Sequence, residues 1–471
     1  MKKRACLVAG EWIDDGEHFD VLSPHDGSVV GKALRPSPAA VERAVSVAVA
    51  GFPLMKKMTT GERAKILRRA SGLIEERHAE LAGTISLESG KPMRYAAGEA
   101  ARAVHTFMEA AEECSRLYGE TIPLDTSTPG AGRTGITGWF PVGPVLAITP
   151  YNFPLNLVAH KLAPAIAAGC PVILKPSSET PLTALMLAEI LLEAGLPPET
   201  LSVLPMSGAD AGALAERDEI KKVTFTGSAK VGWELKKRAH TKKVTLELGG
   251  NAAVILHDDW GDIPGAAARI AVGAYAYSGQ VCISIQRIYV HNSVYAPFME
   301  EFAREAAAIK RGDPLDQATG IGPMITESEA RRVESWVDEA ISEGAAALTG
   351  GPRDGSFYPP TILENATHGM KVVDEEVFGP VACVFGYDEF DEALAEVNDS
   401  KFGLQAGVFA RDSGLIRRAF ETLEVGGVIA GDFPTFRVDR MPYGGVKESG
   451  AGREGLRWAI RDMCELRLLV T

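Results

Sequence analysis

Between Val145 and Leu248, short apolar runs alternate with helix-forming segments. That alternation constrains the fold more than any other feature of the chain. VLAIT, PVILKP, LSVLP, KKVTFTG and KVTLEL read as buried strands. NLVAHKLAPAIAAG, PLTALMLAEILLEAG, GADAGALAER and SAKVGWELKKRA stand between them as helices. The second of these opens on Pro and closes on Gly, as helices prefer. Strands separated by helices of about 10–15 residues build βαβ units and a parallel sheet. RIYVHN, a helix from Ala296 to Ile309, and ACVFGY repeat the style, so a second α/β unit is expected beyond a boundary near Gly249-Gly250.

Residues 38–118 predict helices. Apolar residues recur at helical spacing in PAAVERAVSVAVAGF, in the long GERAKILRRASGLIEERHAELAGTISLESGKP, which stops at Gly-Lys-Pro, and in RYAAGEAARAVHTFMEAAEECSRLYGE. The segment near 119–139 reads as a hairpin around Pro129-Gly130-Ala131-Gly132, and the tail ELRLLVT as a C-terminal strand. Together they form an edge for another subunit to complete.

The chain has 471 residues, room for about three units of about 150 residues each. Its net charge of −13 argues against nucleic acid and anionic membranes, which select basic surfaces. The basic start MKKR is followed by an apolar run too short for a signal peptide, and no transmembrane helix is expected. The six cysteines, Cys6, Cys114, Cys170, Cys282, Cys383 and Cys464, lie far apart with no CxxC. A metal site and a disulfide framework are not expected, and a reducing cytoplasm is the natural compartment.

Several residues stand where chemistry is possible, and each has a plain alternative. Cys282, in YAYSGQVCISIQR, is a nucleophile or a small core residue. FTGSAKVG places Gly227 and Ser228 at a strand-to-helix turn, which suits a pyrophosphate or is merely a tight turn. Lys175 ends a parallel strand, where it meets ribose or phosphate oxygens or is solvated. Glu247 ends an apolar strand before Gly-Gly; burial there would raise its pKa toward that of a general base. Asn152, between Pro150 and Pro154, is a rigid oxyanion donor or an Asx turn.

The motifs PYNFP, LKPSSETP, FTGSAKVG, LELGGN, GQVC, EEVFGPV and PYGGVKESGAGRE occur in that order along the chain. In them the whole chain resembles the aldehyde dehydrogenase superfamily, and most of all its lactaldehyde and non-phosphorylating glyceraldehyde-3-phosphate branch. The resemblance implies an α/β fold: a Rossmann-type cofactor domain (1–118 and 140–249), an α/β catalytic domain (250–448) and oligomerisation segments (119–139 and 449–471). It implies oxidation of a small aldehyde to its acid with NAD or NADP, in a homodimer or homotetramer.

The same resemblance implies residue roles. Cys282 attacks the aldehyde, Asn152 and the Cys282 N–H hold the oxyanion, and Glu247 activates the water that releases the acid. Lys161 and Glu454 support proton relay. Thr149, Pro150, Tyr151, Lys175, Ser177, Ser178, Gly227, Ser228, Gly232, Leu248, Glu376 and Phe378 contact the cofactor. Ser178, small and neutral beside Lys175, implies that NADP is tolerated or preferred, since an acid there would repel a 2′-phosphate. Arg102, His105, Phe436 and Arg437 face the substrate. Val281 stands where relatives that take phosphorylated or dicarboxylic semialdehydes often carry Arg, which lowers those substrates. The expected substrate is a short hydroxy- or phospho-aldehyde, such as lactaldehyde or glyceraldehyde-3-phosphate. Succinate semialdehyde is the alternative, as is a CoA-acylating enzyme, against which Glu247 speaks.

Overall fold

The computed structural model describes residues 2–3 and 5–471. Its first large sheet has eight strands, in the order Gly450–Ala451, Lys243–Glu247, Lys222–Thr226, Val145–Ile148, Val172–Lys175, Leu201–Val203, Cys6–Val8 and Glu11–Ile13. The strands from Lys243–Glu247 through Leu201–Val203 run parallel; the outer ones are antiparallel. These parallel strands are the apolar runs expected from the sequence. From Val145–Ile148 the chain first builds outward through Val172–Lys175 and Leu201–Val203, then crosses back to Lys222–Thr226. Neighbouring strands that depart in opposite directions leave a crevice beyond their carboxyl ends, the usual ligand position in such sheets.

The link Leu248–Ala252 leads to a second sheet of seven strands. Its order is Ala346–Thr349, Thr361–Glu364, Val381–Tyr387, Arg287–His291, Ala253–Leu256, Gln405–Phe409 and Gly427–Ala430, all parallel except the first. The helix expected from Ala296 spans Asn292–Ala308 instead. It starts earlier because the His291 side chain accepts from the Ser293 N–H, and Pro297 sits inside the helix.

The first and last expected N-terminal helices are Pro38–Lys57 and Met93–Glu113, while the long segment between them is broken at Arg77 into Thr60–Glu76 and His78–Ser89. Ser37 caps the first, a Thr59–Glu62 capping box opens the second, and Gly90, at φ 69°, closes the third. Pro38–Lys57 is long and apolar enough to cross a membrane, yet it packs Ala44, Val45 and Ala48 into the core beside the first sheet.

Cys464–Val470, Thr134–Pro141 and Thr121–Pro123 form a small antiparallel sheet. Within 449–471 only Cys464–Val470 belongs to it. Gly450–Ala451 closes the first sheet beside Glu247, and helix Leu456–Asp462 packs on helix Asn156–Ala168. Glu454 therefore lies between these two anchors.

Candidate active site

Two adjoining cavities open at the carboxyl ends of the first sheet. One, about 210 Å³, is lined by Thr149, Pro150, Lys175, Ser177, Gly227 and Ser228. The other, about 960 Å³, runs from Gly227 and Ser228 past Tyr151, Asn152 and Leu248 to Glu247, Cys282, Glu376 and Phe378. Thirteen of the residues singled out from the sequence thus meet around one space. Ser178 and Gly232 line neither cavity. Gly232 instead admits Leu248, whose Cδ2 would lie 2.3 Å from a Cβ at that position.

The first cavity suits the phosphate and ribose end of a dinucleotide that continues into the second. Ser228 is the N-cap of helix Ala229–Arg238 but makes no side-chain capping bond, so the first helical N–H groups are free for phosphate oxygens. The Thr149 and Thr226 hydroxyls are buried without a partner among the described residues. Lys175 is half-buried rather than solvated, and burial lowers its pKa. Val231 and Leu235 add an apolar wall that the sequence reading missed.

At the far end, Glu376 accepts from the Gly250 N–H at 3.0 Å. A Cβ on Gly249 would fall 2.0 Å from the Glu376 carboxylate, so Gly-Gly is what lets the two loops meet. Burial pushes Glu376 up to about 7. Phe378, at φ 47°, sets its ring edge-on to Tyr151, with centroids 6.0 Å apart. The Arg332 guanidinium donates to the Val377 carbonyl at 2.8 Å and lies over the Trp336 ring, bracing this loop.

The Asn152 loop leaves strand Val145–Ile148 and enters helix Asn156–Ala168, whose residues are all buried. Asn152 Nδ2 donates to the Gln280 carbonyl at 3.0 Å, and its Oδ1 has no partner among the described residues. The second N–H of the amide remains for an oxyanion. Behind the loop, Lys91 donates to the Asn152 carbonyl at 2.6 Å and pairs with Glu99. Glu99 in turn accepts from the Leu155 and Asn156 N–H groups, at 2.9 and 3.1 Å. The sequence reading took Lys91 only as part of a helix stop. A signal was present: Glu99 stands on the apolar face of its helix, among Ala96, Ala100 and Ala103.

Cys282 Sγ lies 3.0 Å from the Tyr443 hydroxyl. Burial pushes the Cys282 thiol up to about 11, against the pull of Tyr443 and Arg437. The ordinary ionised fraction of a free thiol therefore does not apply to Cys282 as it stands here. Glu247 is buried, with neither carboxylate oxygen partnered among the described residues. Burial, then the charge of Glu454, drives its pKa well above the usual range. Glu454 accepts from Lys161 Nζ at 3.1 Å and from Arg437 at 3.1 Å. Burial pushes it up, but Lys161 and Arg437 outweigh that and hold it at about 2.

The four residues expected at the substrate divide. His105 is exposed and Phe436 half-exposed. Arg437 is buried and lies over the Tyr443 ring at 3.7 Å; Arg102 pairs with Asp439 at 2.7 Å. Asp439 also accepts from His160, a pair the sequence reading missed. Each arginine keeps one buried Nε–H without a partner among the described residues. Those residues hold no His, Cys, Asp or Glu group able to bind a metal ion.

A sheet crevice, a half-buried thiol, an amide and a buried carboxyl line one cavity, the kinds of group that covalent catalysis at a carbonyl employs. The model of the aldehyde dehydrogenase family matches residues 12–469, and the chain belongs to that family. It is 44% identical over 471 residues to a 3-sulfolactaldehyde dehydrogenase of Priestia aryabhattai, covering 100% of this chain and 98% of the relative. Aldehyde dehydrogenase 21 of Physcomitrella patens, solved with its reaction product succinate, superimposes with a TM-score of 0.98 at 44% identity, covering 100% of this chain and 98% of that one. The glyceraldehyde-3-phosphate dehydrogenase of Methanocaldococcus jannaschii, solved with NADP, gives 0.93 at 36%, covering 98% of this chain and 100% of that one. The chain is an NAD(P)-dependent aldehyde oxidoreductase.

Proposed function

We propose that the protein oxidises a short aldehyde with an anionic far end to the carboxylic acid. Cys282, Asn152 and Glu247 around one cavity carry this reading. The Cys282 sulfur attacks the carbonyl carbon, and the free Asn152 N–H with the Cys282 backbone N–H receives the oxygen. Glu376 and Phe378 line the far wall, where they would hold the nicotinamide, and the cofactor would supply the hydride acceptor. Glu247, raised in pKa, takes a proton from the water that cleaves the Cys282 thioester. Lys161 keeps Glu454 charged, so that Glu247 is the carboxyl whose proton moves.

The anionic end is assigned to Arg102 and Arg437. Val281 is apolar and packs with Tyr277, Ile283 and Leu404, so it offers no charge. The two unpartnered arginine N–H groups do, and sulfonate, carboxylate and phosphate all suit them. Relatives named for sulfolactaldehyde and glyceraldehyde-3-phosphate, and a neighbour holding succinate, support this class over plain aliphatic aldehydes. NADP is accepted alongside NAD, on Lys175 and the lack of any acidic side chain lining the first cavity. The subunits pair through Cys464–Val470, an edge strand with exposed Leu466, Leu468 and Leu469. Six free thiols favour a reducing, cytoplasmic setting. The segments 1–118 and 140–249 serve the cofactor, and 250–448 the catalytic unit. NAD(P)H formation from sulfolactaldehyde, succinate semialdehyde, glyceraldehyde-3-phosphate and propanal, with Cys282→Ala as control, tests the reading. Preference for propanal would refute the anionic class.

A further inference from the structure

Tyr443 belongs to the Pro-Tyr-Gly-Gly stretch, and nothing in the mechanism above uses its hydroxyl. Four observations give it work. Its oxygen lies 3.0 Å from the Cys282 sulfur, in hydrogen-bonding distance. The ring is buried, at 3% exposure, beside Val281 and Leu404. The Tyr443 N–H and C=O both pair with the backbone of Glu454, at 3.1 and 2.6 Å, which fixes the ring's root. The Arg437 guanidinium lies 3.7 Å from the ring centroid, held there by Glu454.

We propose that Tyr443 is a further catalytic residue: its hydroxyl donates a hydrogen bond to the Cys282 sulfur and stabilises the thiolate that attacks the aldehyde. A hydrogen bond to an ionised acceptor is about twice as strong as one between neutral groups, so the contact favours S⁻ over S–H. A cation over the ring face draws electron density from the phenol and makes its O–H a better donor. The phenol itself stays protonated, since burial drives its pKa well above the ordinary value. Arg437 thus acts on the sulfur through Tyr443, while its Nε–H remains for substrate. The thiol needs such help, because neither Glu376 nor Glu247, the carboxyls whose charges oppose its ionisation, holds a hydrogen bond to it.

The inference rests on Cys282 being the nucleophile, and the experiment separates the two. The cofactor-free enzyme is alkylated with iodoacetamide across a pH series, and the modified peptide is identified by mass. Tyr443→Phe deletes one oxygen and keeps the ring under Arg437. Its alkylation midpoint should rise by about one pH unit, which cuts the thiolate about tenfold below the midpoint. A more basic thiolate is about threefold more nucleophilic, so the rate at about pH 8 should fall about threefold. The conservative control Arg437→Lys should give a smaller shift in the same direction. An unchanged profile overturns the proposal. A faster rate overturns it too, for then the sulfur donates to the hydroxyl. Should Tyr443→Phe not fold, Tyr443→Leu, which lacks the hydroxyl and brings no other donor, must show the same rise. If the alkylated peptide does not contain Cys282, or Cys282→Ala keeps full turnover, it is the nucleophile assignment that fails.

Discussion

Glu247 and Glu454 are two buried carboxyls driven in opposite directions. Burial and the neighbouring charge of Glu454 push Glu247 well above the usual range, while Lys161 and Arg437 hold Glu454 at about 2. In the proposed mechanism Glu454 is the fixed charge and Glu247 the carboxyl whose proton moves. That is the arrangement a general base requires.

Glu247→Gln separates the two halves of the reaction. A first burst of NAD(P)H should survive, because thiol attack does not need the carboxylate. Steady turnover should fall by about a hundredfold or more, within the range ascribed to general base catalysis. Stopped-flow absorbance reads both at once, and undiminished steady turnover would remove Glu247 as the base.

The same exchange has a stability signature. A carboxyl with a raised folded pKa keeps its proton in the folded state where the unfolded chain has lost it. Its contribution to folding therefore declines as pH rises above the ordinary glutamate range. Glu247→Gln should melt higher than the parent at about pH 8 and at nearly the same temperature at about pH 5. Thermal melting at both values checks this. Glu454 carries the opposite sign: its stabilisation is present above the ordinary range and is lost as pH falls toward about 2.

Glu454→Gln removes the like charge that raises Glu247. The ascending limb of kcat against pH should move to lower pH. A limb that stays in place would show that another group sets it.

Lys91 and Glu99 hold the Asn152 loop from behind. The paired exchange Lys91→Met with Glu99→Gln leaves no lone buried charge. It should lower kcat by about tenfold, a fraction of the 10²–10³ ascribed to losing an oxyanion donor outright. The KM for cofactor should not change. In an Asn152→Ala background the same exchange should have little further effect, which steady-state kinetics of the combined variants will show.

Arg102→Met should raise KM for an anionic aldehyde about tenfold or more and for propanal hardly at all, as loss of a charge-assisted hydrogen bond implies. Equal effects on both would take Arg102 out of the anion site.

Much of the first sheet was legible because its strands are uninterrupted apolar runs bounded by Gly and Pro. KVTFT and VILK need no partner to be recognised as buried strands. Residues gathered by short loops, such as Gly227 and Ser228, were equally readable. What stayed hidden depends on contacts between distant segments. Lys91 meets Asn152 across 61 positions, and Arg102 meets Asp439 across 337. No local period encodes such pairs. Gly232 shows the reverse case, a motif residue whose place proves to be packing against Leu248. The sequence marks Cys282 as a nucleophile or a core residue, and only its surroundings reveal how far its ionisation depends on neighbours.

The most direct test of the whole mechanism is to trap the acyl group. Glu247→Gln is mixed with NADP and succinate semialdehyde, quenched in acid after one turnover, digested and weighed. The peptide containing Cys282 should gain the mass of one succinyl group in place of the thiol hydrogen, and Cys282→Ala should gain none. NADPH formed without any adduct on Cys282, or an adduct on another residue, would contradict covalent catalysis by this thiol.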